Sequence, residues 1–466
     1  MPPLRLFPIA FRFRVAATAA LGIALLSSAG TAALASGWST PQLLSSGGNG
    51  FDPSAAIDSN GNALVVWFAN LGSGSGDVQF AVHPNGGAWK SKDLIPPSNN
   101  LINPEPVVHE TAAGTATAVW WTTAGAFTAD RPAGGAWTTP LLVLPGIAGP
   151  PAFAMNSQGA AVLEWLTGDC GIRGTGNCTI MTLARPAGGA WGQPVSVETT
   201  SNRLQADSIV IGEGGDAVTT WETYQASCMP RRCTKSNFIL FAAREPSGTT
   251  NWEIDQSSLA GPDLVTHIGA ASLDANNLAA VFINSEATGI TAVTEASGSQ
   301  SFGTPVSVTS DTDITFGSAQ TDPFGDVTLV GLEGSAKQVV AVSGNFDTNT
   351  WNGVVTLSTA DTDISESSFP IAFAVGTNGG SVAAWPQAST MQSFDDNIVV
   401  SVSPSPGAPW SKPVTIANNS ELGLPQSVSV NSTGQAVLSY SDLNATTNAD
   451  EIQGTVYTPK APHRHR

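Results

Sequence analysis

The chain has 466 residues, of which 41% are hydrophobic and only 12% are charged, with 48 glycines and 31 prolines. This composition excludes a charged disordered polymer and supplies enough apolar residues for a large buried core. The formal net charge of −18 excludes a general binder of nucleic acid or anionic lipid, because such a surface repels polyanions over most of its area.

The first 35 residues have the pattern of a secretory signal peptide. Three arginines, at positions 5, 12 and 14, form a basic segment, VAATAALGIALL is an apolar segment, and residues 33–35 make an A-x-A cleavage site. A membrane anchor is the alternative, but the apolar segment is short for a bilayer span. We predict a mature chain that begins near Ser36, carries a net charge of −21 and is secreted to the extracellular space or the cell envelope, with no integral membrane segment.

A unit of roughly 50 residues recurs eight times in the remaining chain. Each copy has a short strand that begins at an aromatic residue: Trp38, Trp89, Trp137, Trp191, Trp252, Phe302, Trp351 and Trp410. A further strand of each copy reads G-x-A-x-x-x-W or a variant of it, ending at Trp67, Trp120, Trp165, Trp221, Trp385 and Tyr440, with Phe282 nearby in the fifth copy and Gly331 as the exception. Short, evenly spaced strands without a helical period predict an all-β fold: an eight-bladed β-propeller of four-stranded antiparallel blades. Seven blades are the alternative if one degenerate copy forms none.

The position of the turns assigns four strands to each blade. We take strand A as segments like DPSAAID, B as NALVVW, C as VQFAVHP and D as the strand that begins with Trp. The N-terminal strand, residues 38–44, then lacks partners of its own, and the last copy, residues 424–459, lacks a strand D. We expect the two to complete one blade and close the ring, which removes exposed sheet edges. The predicted domains are the signal peptide 1–35, a single propeller 36–459 and a basic tail 460–466.

The heptapeptide RPAGGAW occurs at residues 131–137 and 185–191. Its Gly-Gly pair permits the positive φ of a hairpin turn, and its Trp is predicted to pack between neighbouring blades. Of the 13 tryptophans, seven begin a strand D and five lie in strand B, so both groups are predicted to be core. Trp121 belongs to neither group, and it is a candidate ligand contact or a further packing residue.

The two faces of the disc differ in their connections. Turns A–B and C–D are short and repetitive, whereas the B–C and D–A loops are long and irregular, so a ligand site is expected on the loop face that they form. Two local disulfides are predicted there, Cys170 with Cys178 and Cys228 with Cys233. Basic residues of the third and fourth copies are candidate contacts for an anionic glycan or an extracellular protein, although charged loops also serve solubility. These residues are Arg173, Arg203, Arg231, Arg232 and Lys235.

The tetrapeptide DTDI occurs in two successive D–A loops, at residues 311–314 and 361–364. Residues two apart point the same way in an extended chain, so each loop offers two carboxylates to Ca²⁺. The candidate ligands are Asp311, Asp313, Asp361 and Asp363. A solvated turn without metal is the alternative, and no other cofactor is predicted.

The Trp-ended C–D turns resemble those of sialidase-type propellers, whose repeats carry an Asp-box of the form S-x-D-x-G-x-T-W. The corresponding turns here read NGGAW, AGGAW and PGAPW, and only FDTNTW at residues 346–351 keeps an Asp near the Trp. The resemblance implies a secreted propeller and, for an active enzyme, three converging arginines with a Tyr–Glu nucleophile pair. Arg131 and Arg185 occupy repeat positions at the opposite rim and do not make such a cluster.

Glu164 is the weak candidate for a catalytic residue, because a carboxyl group replaces Val66 or Val119 beside the Trp of strand B. Burial would raise its pKa and suit a general acid, while pairing with a nearby arginine is the alternative. The sequence as a whole indicates a monomeric, exported binding or surface-interaction module. The alternative is a glycan-active hydrolase or lyase, and whether the protein is an enzyme stays open, with a binding role favoured.

Overall fold

The structure is a computed structural model in which every regular element is a β-strand. It describes residues 37–45, 49–72, 75–94, 104–147, 149–171, 174, 176–228, 233–254, 259, 267–285, 288–296, 299, 301–334, 337–358, 371–388, 395–444, 446–447 and 449–459. The strands form four-stranded antiparallel blades, eight in number, arranged in a ring, so the predicted eight-bladed β-propeller is confirmed. Within these residues no helix has the length and hydrophobicity needed to cross a bilayer.

The first strand and blades 1 to 4 follow one another along the chain. β1 is Gln42–Leu43. Blade 1 contains β2 (Asn49–Ile57), β3 (Ala63–Gly72), β4 (Ser75–His83) and β5 (Lys90–Asp93). Blade 2 contains β6 (Val107–Glu110), β7 (Ala116–Thr122), β8 (Gly125–Arg131) and β9 (Leu141–Pro145). Blade 3 contains β10 (Ala152–Met155), β11 (Ala161–Gly168), β12 (Cys178–Arg185) and β13 (Val195–Thr200). Blade 4 contains β14 (Arg203–Ile211), β15 (Ala217–Cys228), β16 (Cys233–Glu245) and β17 (Glu253–Ile254).

Blades 5 to 8 continue the pattern with two variations. Blade 5 contains β18 (His267–Leu273), β19 (Ala279–Ser285), β20 (Gly289–Glu295) and β21 (Val306–Thr309). Blade 6 contains β22 (Ile314–Thr321), β23 (Asp326–Glu333), β24 (Gln338–Asn345) and a strand D split into β25 (Thr350–Trp351) and β26 (Val355–Thr356). Blade 7 contains β27 (Ala372–Val375), β28 (Ser381–Ala388), β29 (Asp395–Ser403) and the first part of β30 (Val414–Val430). The second part of β30 begins blade 8, which continues with β31 (Ala436–Asn444) and β32 (Ala449–Tyr457).

The N-terminal strand closes the ring as the sequence predicts. β1 pairs with β32 in antiparallel register, with Gln42 opposite Gly454. Trp38 forms a further bridge to Tyr457, and the centres of the two rings lie 5.2 Å apart. Only 4% of the Trp38 surface is exposed. Because this pairing supplies the strand D of blade 8, the two ends of the propeller stabilise each other.

The aromatic repeat positions lie between neighbouring blades, and they divide into two groups. Among the strand B residues, Trp67, Trp120, Trp221, Trp385 and Tyr440 are buried, and Trp165 is half-buried. The strand D tryptophans other than Trp38 are only half-buried, as in Trp137, which packs edge-on against Phe80 of the preceding blade at 5.8 Å. The prediction that all of them are core is therefore too strong. Strand D is the outermost strand, so one side of its ring stays near solvent.

The A–B turns hold adjacent blades together on the turn face, the face formed by the A–B and C–D turns. The carboxylate of Asp58 accepts hydrogen bonds from the backbone N–H groups of Asn60 and Asn62 at 2.9 and 2.8 Å, as an Asx residue does in a turn. Asn431 caps its own turn in the same way, and its side-chain amide donates to the Asp58 carbonyl of the next blade at 2.8 Å. These hydrogen bonds within and between the A–B turns stiffen the turn face.

Two of the predicted domains lie outside the described residues, namely the signal peptide 1–35 and the tail 460–466. One prediction about the loops needs correction. The connection between strands B and C of blade 4 was expected to be a long irregular loop, but most of it is a regular ladder of β15 and β16 that reaches Cys228 and Cys233. The alternating polar residues of this segment belong to the two strands and not to a loop.

Candidate functional site

The hairpin of β15 and β16 is the longest two-stranded ladder in blades 1 to 4, with 12 and 13 residues in its strands. Its pairing runs from Ala217 opposite Glu245 at the turn face to Cys228 opposite Cys233 at the loop face. A disulfide joins these two cysteines and closes the tip, so the predicted pairing is confirmed. The hairpin therefore carries its loop-face side chains on a backbone that is fixed at both ends.

A cluster of polar and aromatic side chains lies on this hairpin and on the adjacent strand β14. Arg203 is opposite Tyr224 in the strand register. The Lys235 ammonium lies 4.4 Å from the centre of the Tyr224 ring, and it donates a hydrogen bond to the amide oxygen of Gln205 at 2.7 Å. Lys235 is exposed, whereas only 6% of Tyr224 is. The Tyr224 ring and the Gln205 amide oxygen thus both contact the exposed Lys235 ammonium and restrict its position. The contact with the ring is a favourable cation–π interaction.

Two ionisable groups inside the cluster respond to their surroundings. Burial raises the pKa of Glu222, and the nearby Lys235 charge acts in the opposite direction. Burial also raises the pKa of Tyr224, while Arg203 lowers it. Lys235 thus acts on Glu222, and Arg203 acts on Tyr224. We name this set, Arg203, Gln205, Glu222, Tyr224 and Lys235, the blade 4 cluster.

A cavity beside the inner strands of blades 1, 2 and 8, which we name the channel mouth, has the opposite character. Asp52, in β2, and Glu105, two residues before β6, occupy equivalent repeat positions, each before a proline, and each has a positive φ, of 50° and 41°. Together with Ser427 of blade 8 they line a cavity of about 360 Å³. Burial raises the pKa of both carboxyl groups, and the Asp52 charge raises that of Glu105 further. Both precede the middle of strand A, so this acidic mouth is on the loop-face side.

Glu164 is enclosed between blades 3 and 4. Only 2% of its surface is exposed, and the hydroxyl of Thr219 donates a hydrogen bond to its carboxyl group. Burial raises its pKa to about 8, although the Thr219 hydrogen bond lowers it. The predicted rise in pKa is thus present, and the partner is a threonine, not an arginine. The carboxyl group is therefore buried between blades 3 and 4 and is not exposed on the loop face.

Trp121 lies at the loop-face end of strand B in blade 2 and is half-buried. Its indole N–H donates to the Ile147 carbonyl at 3.2 Å, and its backbone N–H donates to the Pro104 carbonyl at 2.9 Å. The residue therefore bonds to both connections that flank blade 2, to one through its side chain and to the other through its backbone. One part of its ring remains accessible to a ligand.

Several predicted candidates lie outside the described residues: Arg173, Arg231, Arg232, Asp361 and Asp363. Of the predicted Ca²⁺ ligands, Asp311 and Asp313 are described, and Asp311 accepts a hydrogen bond from the Asp313 backbone N–H at 3.0 Å. That contact is typical of a turn. In the described part of the chain, no three His, Cys, Asp or Glu residues are grouped as metal ligands would be.

The second predicted disulfide, Cys170 with Cys178, is also confirmed. It joins the end of strand B to the start of strand C in blade 3, beside the blade 4 hairpin in the ring. Cys178 is fully buried in the cluster that contains Trp221 of blade 4. The two disulfides therefore order neighbouring parts of the loop face.

The structure adds site residues that the sequence reasoning missed. Tyr224 and Glu222 stand two apart on β15 and so face the same way, next to the predicted basic residues. Asp52 and Glu105 were also missed, although both stand before a proline at one repeat position. An acidic residue before a proline in two successive copies was a signal that could have found them.

No protein-family model matches the chain, and no curated protein matches it either. Among solved structures it is similar to the Dos1 propeller, with a TM-score of 0.51 and 9% identity over 89% of this chain and 94% of that chain. It is also similar to the BP39L lectin from Burkholderia pseudomallei, with a TM-score of 0.46 and 12% identity over 81% of this chain and 100% of that chain. A third structure is a PL25 ulvan lyase, with a TM-score of 0.46 and 13% identity over 88% of this chain and 94% of that chain.

At such identities the likeness concerns the fold alone. The sialidase resemblance implied a propeller, and that part is confirmed, whereas the closer likeness to sialidases stays a prediction. The chain is a β-propeller of eight blades.

Proposed function

We propose that the protein is a secreted binding module that holds an anionic glycan on the loop face, at the blade 4 cluster. The observation that carries this proposal is the exposed Lys235 ammonium, fixed by the Tyr224 ring at 4.4 Å and by Gln205 at 2.7 Å. Carboxylate and sulfate groups accept strong, charge-assisted hydrogen bonds from such a donor. A cation that is already held in place loses less side-chain entropy when the ligand binds.

The charge distribution favours this location over the rest of the loop face. The whole chain carries a net charge of −18, and the channel mouth adds the carboxyl groups of Asp52 and Glu105. A polyanion is repelled from such surfaces and is attracted where Arg203 and Lys235 stand together. Gln225 and Asn237, on the same hairpin, are exposed and hydrogen bonded to each other at 2.7 Å, so they are further polar groups near its loop-face end for sugar hydroxyls.

Secretion is part of this proposal. It is supported by the signal-peptide pattern of the first 35 residues and by the two disulfides, which persist mainly in oxidising compartments. The alternative of a glycan-active hydrolase or lyase gains no support from Glu164. That residue is sealed between blades, and a general acid must come within hydrogen-bonding reach of its substrate.

The test is binding of the full mature chain to polygalacturonate, with uncharged dextran as the comparison polymer. We expect Lys235→Gln to weaken polygalacturonate binding about tenfold, and added salt to weaken wild-type binding, because the contact is electrostatic. Lys412→Gln is the matched control, since Lys412 is an exposed lysine on blade 7. Equal affinity for dextran, or an equal loss in both variants, would contradict the proposal.

A further inference from the structure

A cavity of about 410 Å³ opens on the turn face between blades 3 and 4, on the opposite side of the disc from the blade 4 cluster. Its walls are the A–B and C–D turns of both blades, and its floor is apolar, formed by residues such as Val162, Ile211 and Ala217. Its volume falls within the range of small-molecule sites, which is about 300–1,000 Å³.

One buried carboxyl group faces this cavity without a partner. Glu245 ends β16, lines the cavity and is only 6% exposed. Within the described part of the chain, no donor is hydrogen bonded to its carboxyl group, and no positive charge acts on its titration. Burial alone raises its pKa, to about 7. Buried carboxylates are normally paired, because an unpaired buried charge is costly.

The interface of blades 2 and 3 carries an ion pair at the equivalent position. Arg185 ends strand C of blade 3 as Glu245 does in blade 4, and its guanidinium reaches back to Asp130 of blade 2 at 2.8 Å and to Thr117 at 2.7 Å. Thr117 and Asp130 are opposite each other in blade 2. The equivalent opposed pair in blade 3 is Val162 and Ala184, and both line the cavity.

The interface of blades 3 and 4 therefore has no counterpart of the ion pair between Arg185 and Asp130 at this position. Glu245 stands where Arg185 stands in blade 3, and Val162 and Ala184 stand where Thr117 and Asp130 stand in blade 2. The other charged groups at the cavity are Glu213 and Arg185. Glu213 accepts hydrogen bonds from Ser157, and the Arg185 guanidinium is bound to Asp130 in blade 2. The cavity thus combines a net negative charge with an apolar floor.

We propose that this cavity is a binding site for an alkylguanidinium group, with Glu245 as its anionic partner. The guanidinium forms paired hydrogen bonds with the carboxylate, and a short alkyl stem lies along the apolar floor. Such a group reaches the site either as a free small molecule or as an arginine side chain of a bound peptide. The site is separate from the loop face and does not depend on the proposed glycan binding.

The experiment is isothermal titration calorimetry of the mature chain at pH 8, where most of the Glu245 carboxyl group is ionised. The probe is butylguanidinium, and butylurea is its uncharged isostere. We expect one bound butylguanidinium per chain, with butylurea at least about tenfold weaker, because the charge supplies the recognition. Blocked arginine, N-acetylarginine amide, distinguishes the sources: binding at similar affinity indicates a peptide side chain, and much weaker binding indicates a free small molecule.

Two variants make the test specific. Glu245→Gln should weaken butylguanidinium binding at least about tenfold, whereas Glu253→Gln, an exposed glutamate on the same blade, should leave it unchanged. The double variant Glu245→Arg with Ala184→Asp rebuilds the ion pair of the neighbouring interface, and it should fold with normal circular dichroism yet bind no butylguanidinium. Absence of wild-type binding, equal binding of butylurea, or retained binding in the double variant would each overturn the proposal.

Affinity should also depend on pH. Because the carboxyl group must ionise to bind the cation, butylguanidinium binding should be several-fold weaker at pH 6 than at pH 8. Glu245→Gln should remove that dependence. A pH dependence that persists in this variant would contradict a role for Glu245.

Discussion

The interface of blades 2 and 3 and that of blades 3 and 4 have the same order of strands and turns, yet they accommodate buried charged groups differently. The first buries Arg185, only 7% exposed, and satisfies it with Asp130 and Thr117. The second buries two carboxyl groups, Glu164 and Glu245, without a basic partner for either in the described residues. The repeat position of a residue therefore determines where its side chain lies. The groups that face it on the neighbouring blade determine its protonation state and the free energy that its burial costs.

The ion pair of Arg244 with Asp216, both of blade 4 beside its interface with blade 5, extends this comparison and should show the largest effect. Arg244 is 1% exposed, lies 2.5 Å from the Asp216 carboxylate and also donates to backbone carbonyls of blade 5. We expect Arg244→Leu to lower the free energy of unfolding by about 3–5 kcal/mol, because Asp216 is left as a buried, uncompensated charge. Urea denaturation measures this. If Arg244→Leu with Asp216→Leu is no more stable than Arg244→Leu alone, the explanation fails.

Glu164→Gln should stabilise the protein at neutral and alkaline pH. The folded-state pKa of Glu164 is about 8 against an ordinary 4.5, so its favourable contribution is complete below about pH 4.5 and is lost as the pH rises to about 8. Glutamine mimics the neutral acid and keeps the Thr219 hydrogen bond. We expect a gain of roughly 2 kcal/mol at pH 8 and almost none at pH 4.5. An equal change at both pH values would point to packing instead of ionisation.

Arg185→Met should have a smaller effect than Arg244→Leu. The side chain of Asp130 is 45% exposed, so water can solvate its charge when the arginine is removed. We expect a loss of about 1–2 kcal/mol in urea denaturation. A loss as large as that of Arg244→Leu would mean that the exposure of the acidic partner does not govern the cost.

Rebuilding the ion pair in the interface of blades 3 and 4 should have the smallest effect. Glu245→Arg with Ala184→Asp replaces an unpaired carboxyl group by a pair like that of Arg185 with Asp130. We expect a gain of about 1 kcal/mol at pH 8, since burying both charges offsets much of their attraction. Glu245→Arg alone is the control and should be less stable than the double variant; equal stability would show that the two new residues do not meet.

The fold could be predicted from local sequence signals that recur in each copy, whereas the candidate site could be predicted only in part. Gly-Gly turns, Asx residues before turns and Trp at regular spacing predicted each blade, and the unpaired strand at residues 38–44 predicted the closure. Both disulfides followed from their short separations. The contact of Lys235 with Tyr224 did not, because these residues meet across two strands of a ladder that was taken to be a loop.

The sequence by itself determined the blade, because short-range turn chemistry and the two-residue period of a strand act within one copy. It also predicted the order of strands and, from counting copies, eight blades with seven as the alternative, and the structure decided for eight. Only the tertiary structure determined which side chains of one blade face those of the next blade. Whether Arg185 faces Asp130, 55 residues away, or Glu245 faces the more distant Val162 and Ala184 depends on side chains of different copies that come together only when the blades pack in the ring.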